Sequence, residues 1–161
     1  MNSNFAILEL KYGNIYGGYP NFFAIAEVSV LVFEEPGNKI FIDTWRNRLD
    51  VDYVSVFSKT NELGHTIGRA KEVINMRTGY ARPFEEEFQL DDYTLQNKFR
   101  MLRPVQSWVR KFLLNTFRKY NIRTIVTFDG RRDLFLCERS GINFDQAEII
   151  DLQRELNRET D

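Results

Sequence analysis

The sequence predicts one mixed α/β domain over residues 1–161, in which an antiparallel three-strand meander is extended by parallel strands and flanked by helices. Three observations favour this class. Strand-like segments fill most of the first 45 residues, apolar residues take a helical period after Pro104, and a β-branched segment follows that helix directly. A chain of this length can bury one sizeable core.

The meander is predicted from three segments. Residues 5–11 are dense in apolar side chains, residues 22–33 are rich in β-branched ones, and residues 39–45 follow the pair Pro36–Gly37. Proline presets φ and glycine accepts positive φ, so this pair favours a tight turn between the second and third strands. The first strand is expected to join them antiparallel.

Residues 46–92 are the least informative part of the chain. Residues 51–57 fit either a fourth strand or the start of a helix, and residues 66–76 have weak helical character. The glycine-rich residues 12–20 lack the Gly-x-x-x-x-Gly-Lys pattern of a phosphate-binding loop, so they predict an ordinary loop. Its tyrosines are suited either to stacking on bases or to docking on a protein. Residues 83–92, which contain five carboxylates, predict an exposed loop.

A helix is predicted from Val105 to about Tyr120, with Pro104 in a position that a first turn tolerates. Its apolar residues fall on one stripe at helical spacing: Val105, Trp108, Val109, Phe112, Leu113 and Phe117. The opposite face carries Arg110, Lys111 and Arg118. Residues 122–128 then predict a strand that joins the sheet in parallel through a crossover.

Three short elements are predicted after this strand. Residues 131–140 indicate a short helix that Gly141 ends, and residues 147–150 fit a fifth strand. Asp151 would cap a last helix that extends to Arg158. The predicted order is therefore three strands, a helix, a strand, a helix, a short strand and a helix.

Charge is unevenly distributed, although the net charge is only −1. Residues 93–128 contain eight basic residues and no acidic one, whereas residues 83–92 and 145–161 are acidic. Such segments are typical either of solvated helix faces or of a basic surface that binds a phosphate backbone by counterion release. Both interpretations remain open at this point.

Membrane and secretory roles are disfavoured by the sequence. The longest nearly apolar run is residues 22–33, which contains Glu27 and is shorter than the roughly 20 residues of a spanning helix. The N-terminus shows no secretory signal. The single cysteine, Cys137, cannot form an internal disulfide. We therefore expect a cytoplasmic protein with no membrane partner.

One segment resembles a known family. The sequence Thr127-Phe-Asp-Gly-Arg-Arg-Asp133-Leu-Phe-Leu136 is similar to a metal-binding motif of the DEDD 3′–5′ exonucleases, in which an Asp follows a strand and an apolar residue comes three positions later. Residues 25–32, 41–45 and 149–152 fit the family more loosely. The resemblance implies a ribonuclease-H-like fold and hydrolysis of terminal phosphodiesters in single-stranded DNA or RNA with two Mg²⁺ or Mn²⁺ ions.

The resemblance also implies the site residues. Glu9 and Asp133 are the expected catalytic and metal-binding carboxylates. The expected nucleic-acid contacts are five cations: Lys11, Arg131, Arg132, Arg110 and Lys111.

The sequence departs from the family at two motifs. The first strand of the family carries Asp-x-Glu, and the aligned residues here are Glu9-Leu10-Lys11. The last motif, a His or Tyr shortly before an Asp, would follow the last helix, and the sequence reaches Asp161 before it. Glu9 and Asp133 together contribute −2 and Lys11 contributes +1, which is too little negative charge for two divalent cations.

Three explanations of these departures remain open. The chain is C-terminally truncated, or it is an inactive relative that binds nucleic acid or serves as a protein-interaction or scaffold module, or its chemistry uses other residues. Glu9-x-Lys11 also matches the Glu-x-Lys pair of restriction-type nucleases. Without any active site, Glu9 and Lys11 form a surface pair on the sheet and Asp133 is a helix N-cap.

Overall fold

The computed structural model describes residues 4–18, 22–34, 38–127, 134–135, 137–138 and 147–152. These residues form eight strands and two helices, with α1 and α2 between the sixth and seventh strands. The strands are β1 Asn4–Ile15, β2 Phe23–Glu34, β3 Asn38–Arg46, β4 Asp52–Thr60, β5 Thr66–Asn75, β6 Ala81–Pro83, β7 Ile122–Thr127 and β8 Glu148–Asp151. The helices are α1 Asp92–Leu102 and α2 Val105–Lys119.

The chain divides into two compact units that share two strands. The first unit consists of Met1–Leu10, Glu27–Trp45 and Pro104–Asp161, and the second of Lys11–Ala26 and Arg46–Arg103. Strands β1 and β2 therefore begin in one unit and end in the other.

The first unit contains a sheet in the order β3-β2-β1-β7-β8. Strand β7 pairs in parallel with β1, with Ala6 beside Ile125, and β8 pairs in parallel with β7. Burial alternates along β1, because Ala6 and Leu8 are buried and Glu9 is exposed. The side chains of β2 alternate in the same way, and its inward residues are completely buried: Val28, Val30 and Val32.

The α2 helix covers one face of this sheet. Its buried stripe consists of Val105, Val109, Leu113 and Thr116. The residue after the helix, Tyr120, stacks on Phe41 of β3 with a centroid distance of 4.3 Å. The predicted stripe is thus correct at Val105, Val109 and Leu113 and wrong at Trp108, which is 44% exposed.

The second unit is built around an antiparallel ladder. The end of β1 pairs with β4, β4 pairs with β5 over the full length of both strands, and β5 pairs with the short β6. The turn between β4 and β5 is held by Asn61, whose side-chain oxygen accepts hydrogen bonds from the N–H groups of Leu63 and His65. Gly64 takes φ of 80° in this turn, a conformation that favours glycine.

The ribonuclease-H-like fold class predicted from the sequence is wrong. The sheet is mostly antiparallel, and the parallel pairs β1–β7 and β7–β8 are a minority of its pairings. The difference arises in residues 46–92, which supply the three antiparallel strands β4, β5 and β6. Residues 66–76 do not form the weak helix that their sequence indicated, because most of them belong to β5.

Candidate nucleic-acid-binding surface

The outer face of α2 carries three exposed cations. Lys111 and Arg118 are seven positions apart, which corresponds to two helical turns and a separation of about 10 Å along the axis, and both are exposed. Arg110 flanks them and is also exposed. Val109 and Leu113, on the side of the helix opposite Lys111 and Arg118, are completely buried. The packing of α2 on the sheet therefore directs these cations to solvent, as the helical period predicted.

No carboxylate of the described residues neutralises these three cations. Residues 93–128 contain no acidic residue, and none of the described Asp or Glu side chains forms an ion pair with Arg110, Lys111 or Arg118. In the second unit, by contrast, arginines are neutralised: Arg77 forms an ion pair with Asp50 at 3.5 Å, and Arg82 forms one with Asp52 at 3.0 Å. Among the described residues, no carboxylate therefore competes with an anion from solution for these three cations.

An aromatic side chain lies on the same exposed side of α2. Trp108 precedes Lys111 by three positions, so the two side chains are neighbours on the helix surface. An exposed indole beside cations can stack on an unpaired base. Lys119, by contrast, lies over the ring of Tyr120 with its Nζ 5.4 Å from the centroid. We refer to Arg110, Lys111, Arg118 and Trp108 as the basic α2 face.

Glu9 lies on the other side of the first unit. The rings of Phe5 and Phe33 stack at 5.2 Å, and the hydroxyls of Ser29 and Thr44 lie 3.1 Å apart, so these four side chains belong to one face of the sheet. Glu9 shares this face because it alternates with the buried residues of β1. Phe41 occupies the opposite face, where Tyr120 and α2 pack.

The predicted site residues therefore separate into two groups. Glu9 and Lys11 are exposed on one face of β1, and Glu9 points away from α2, whereas Arg110 and Lys111 are on the outer surface of α2. The remaining three, Arg131, Arg132 and Asp133, lie outside the described residues. The expected meeting of Glu9 with Asp133 at one edge of the sheet stays a prediction.

The described residues around Glu9 do not fit a centre for two Mg²⁺ or Mn²⁺ ions. Its neighbours on its own face of β1 are Ile7 and Lys11, an apolar side chain and a cation. Nowhere in the described part of the chain do three His, Cys, Asp or Glu side chains come together as a metal-binding group. Hard divalent cations need several oxygen ligands, and these two neighbours of Glu9 along β1 supply no carboxylate.

The described part of the glycine-rich segment, residues 12–18, does not offer Tyr16 to bases. Its residues 12–15 belong to β1, and Tyr16 is only 5% exposed. The ring of Tyr16 stacks on Phe88 at 4.5 Å, and the guanidinium of Arg82 lies 5.3 Å from its centroid. Tyr16 thus stabilises the second unit.

A polar cluster in the second unit also has a structural role. The side-chain nitrogen of Asn75 donates to Asp50 and Asp52 at 2.8 Å, and its oxygen accepts from the N–H groups of Arg77 and Thr78. The hydrogen bond from Asn75 lowers the pKa of Asp50, with a further contribution from the positive charge of Arg77. These contacts fix the turn after β5.

Comparisons with known proteins assign no family. No family model, no curated protein and no solved structure matches the chain. Neither helix in the described part of the chain is both long and apolar enough to cross a bilayer. The resemblance to exonucleases stays a prediction that depends on the short segment around Asp133.

Proposed function

We propose that the protein binds single-stranded DNA or RNA through the basic α2 face and that this binding needs no metal ion. The observation that supports it most strongly is the exposure of Arg110, Lys111 and Arg118 on two turns of one helix, with no described carboxylate paired to them. Phosphate binding releases condensed counterions and is insensitive to base sequence.

We expect the side chains of the basic α2 face to have different roles in binding. Lys111 and Arg118 would contact phosphates along one strand, and the planar guanidinium of Arg110 can hold a phosphate with two hydrogen bonds. Trp108 would stack on a base. Stacking requires an unpaired base, so the presence of an exposed indole favours single strands over a duplex.

The proposal assigns binding and no chemical step. Glu9 lies on the opposite side of the first unit, and neither Glu9 nor Lys11 takes part in the proposed binding. The cytoplasmic setting expected from the sequence belongs to the same proposal. The side chain of Cys137 is buried. The alternative of a protein-interaction module is tested by the same measurements, because such a module would bind no oligonucleotide.

The test is fluorescence anisotropy with labelled oligonucleotides of about 20 nucleotides, as single strands and as a duplex, in buffer containing EDTA. Removing two charges with Arg110→Gln and Lys111→Gln should weaken single-strand binding about tenfold or more, since contacts to charged groups contribute on the order of 1 kcal/mol each. A matched control with the same net charge is Lys59→Gln with Arg69→Gln, which removes two exposed cations of β4 and β5.

The control variant should retain affinity within about twofold. Equal loss in both double variants would show that only net charge matters and would contradict the assignment to α2. Incubation with Mn²⁺ provides a separate readout. Shortening of the oligonucleotide that disappears in Glu9→Gln would overturn the binding-only proposal in favour of metal-dependent hydrolysis.

A further inference from the structure

Strand β3 lies at the end of the strand order, so one of its edges pairs with no described strand. Two contacts give its register with β2. The N–H of Asn47 donates to the carbonyl of Ala26 at 2.8 Å, and the hydroxyls of Thr44 and Ser29 lie 3.1 Å apart. Both fit one antiparallel register, in which residue numbers rise along β3 as they fall along β2.

This register determines which backbone groups of β3 face outward. N–H and C=O groups of alternate residues point to the same side of a strand. Asn47 points to β2, and so do residues 41, 43 and 45. Ile40, Ile42 and Thr44 therefore direct their backbone groups to the open edge. The N–H of Thr44 donates a hydrogen bond to the Asp43 carboxylate at 2.8 Å. This N–H is therefore not paired with β2, in agreement with the register.

The open edge is long and apolar at its centre. Ile40 is 41% exposed and Ile42 is 56% exposed. Exposed strand edges of this kind are templates for pairing with another strand. Because the N–H of Thr44 donates to the Asp43 carboxylate, the central outward-facing backbone groups that have no described partner are those of Ile40 and Ile42.

We propose that β3 pairs antiparallel with β3 of a second copy of this chain, across a two-fold axis at Phe41. In this register Ile40 is opposite Ile42 of the partner copy, and Ile42 is opposite Ile40. Lys39 is then opposite Asp43 in both halves of the pair. Each Ile40–Ile42 pairing exchanges two backbone hydrogen bonds, because all four residues direct their N–H and C=O groups outward.

The charged residues of β3 favour this register, and they favour a second copy of the chain as the partner. A register centred on Ile40 places Lys39 opposite Phe41, and one centred on Ile42 places Asp43 opposite Phe41, so both leave the charges without a counterpart. Only the axis at Phe41 places each lysine beside an aspartate, at the short separation of a pair without backbone hydrogen bonds. The edge is thus complementary to itself, as an isologous dimer requires.

The interface is small, so the dimer should be weak and concentration-dependent. A single pair of strands buries less area than the roughly 1,200 Å² of a standard stable interface. This inference concerns the edge of β3 and does not depend on the proposed nucleic-acid binding.

The experiment is sedimentation velocity over protein concentrations of about 1 to 500 μM, the range in which weak interfaces associate. The wild-type protein should form dimers. Lys39→Glu alone and Asp43→Lys alone should each weaken dimerisation about tenfold or more, since each places like charges opposite one another twice. The variant that carries both substitutions should dimerise again, because each glutamate then faces a lysine.

A 1:1 mixture of the two single variants should form a mixed dimer for the same reason. Lys59→Glu, which reverses an exposed charge on β4, should leave dimerisation unchanged. Circular dichroism checks that each variant is folded. A wild type that is monomeric throughout the range would overturn the proposal, and so would single variants that dimerise like the wild type or a double variant that fails to recover.

Discussion

The ring of Tyr120 stacks on the ring of Phe41, with centroids 4.3 Å apart and planes inclined by 28°. Tyr120 directly follows α2, and Phe41 is the fourth residue of β3. The contact therefore attaches the end of the helix to one particular face of the sheet. It also determines that the basic α2 face and Glu9 point in opposite directions.

Replacing Tyr120 should destabilise the protein. Tyr120→Ala removes the stack on Phe41 and the contact with Lys119, and we expect a loss of about 1–3 kcal/mol in the free energy of unfolding. Urea denaturation followed by circular dichroism measures it. The matched control is Tyr93→Ala, since Tyr93 is 78% exposed and its removal should cost less than about 0.5 kcal/mol. Equal costs at the two positions would contradict the packing of α2 described above.

A methyl group at residue 13 should disrupt the contact between β1 and β4. A Cβ at Gly13 would collide with the carbonyl oxygen of Val54 and lie 2.8 Å from the ring of Tyr53. Gly13→Ala should therefore cost about 1–3 kcal/mol, the usual range for overpacking, and lower the urea midpoint. In Gly18→Ala the nearest atom is the end of the flexible Leu95 side chain, at 3.2 Å, so the loss should be smaller.

The salt dependence of oligonucleotide binding should report the number of phosphates in contact. Three contacts from Arg110, Lys111 and Arg118 predict a slope of log K against log salt of about −2 for single strands. The variant that lacks Arg110 and Lys111 should reduce the slope to about −0.7. Anisotropy titrations at several salt concentrations measure both values, and an unchanged slope in the variant would place the phosphates elsewhere.

The N-cap of α1 should contribute a pH-dependent part of stability. The Asp91 carboxylate accepts hydrogen bonds from the N–H and the hydroxyl of Thr94, at 2.8 and 2.9 Å, and these bonds lower its pKa below the ordinary 3.8. A pKa that is lower in the folded state means that the stabilisation is fully present above the unfolded-state pKa. It is lost as the pH falls through the folded-state pKa.

Two variants separate the charge of Asp91 from its capping. Asp91→Asn keeps an acceptor for the helix and has no titrating group, so it should match the wild type near neutral pH and lose less stability below 3.8. Asp91→Ala removes the cap and should be less stable than the wild type at neutral pH. Urea midpoints at neutral and acidic pH measure these differences. An Asp91→Asn variant that parallels the wild type at both pH values would contradict the lowered pKa.

The sequence predicted α2 and β2 from their regular apolar periods, but it missed α1, although Leu95 and Leu102 of that helix are buried. The α2 stripe and the alternation of β2 are visible because one side of each element is buried. Residues 56–60 and 66–69 of β4 and β5 are exposed on both faces, and a Cβ on Gly64 or Gly68 would meet no atom within 4 Å. When both faces of a strand pair are exposed to solvent, its residues need not alternate between apolar and polar, so the two-residue period that identifies strands is missing from the sequence.

The site was predictable in its parts and not in its arrangement. Helical spacing correctly directed Arg110 and Lys111 to solvent, and alternation correctly gave Glu9 and Lys11 a common face. The face of the sheet on which α2 packs depends on contacts distant in sequence, such as Tyr120 with Phe41. The exposed Trp108 satisfies the spacing of the core stripe and was assigned there, whereas the buried Thr116 takes part in the core without being apolar.

The division of β1 between the two units bears on the order in which the chain can fold during synthesis. Lys11–Ala26 forms one compact unit with Arg46–Arg103, so the second unit has its components once about two thirds of the chain has emerged. Asn4, by contrast, bonds to Tyr120 and Asn121, and its half of β1 also needs β7. During synthesis, the second half of β1 can therefore pack before the first half, whose partners are more than one hundred residues away in the sequence.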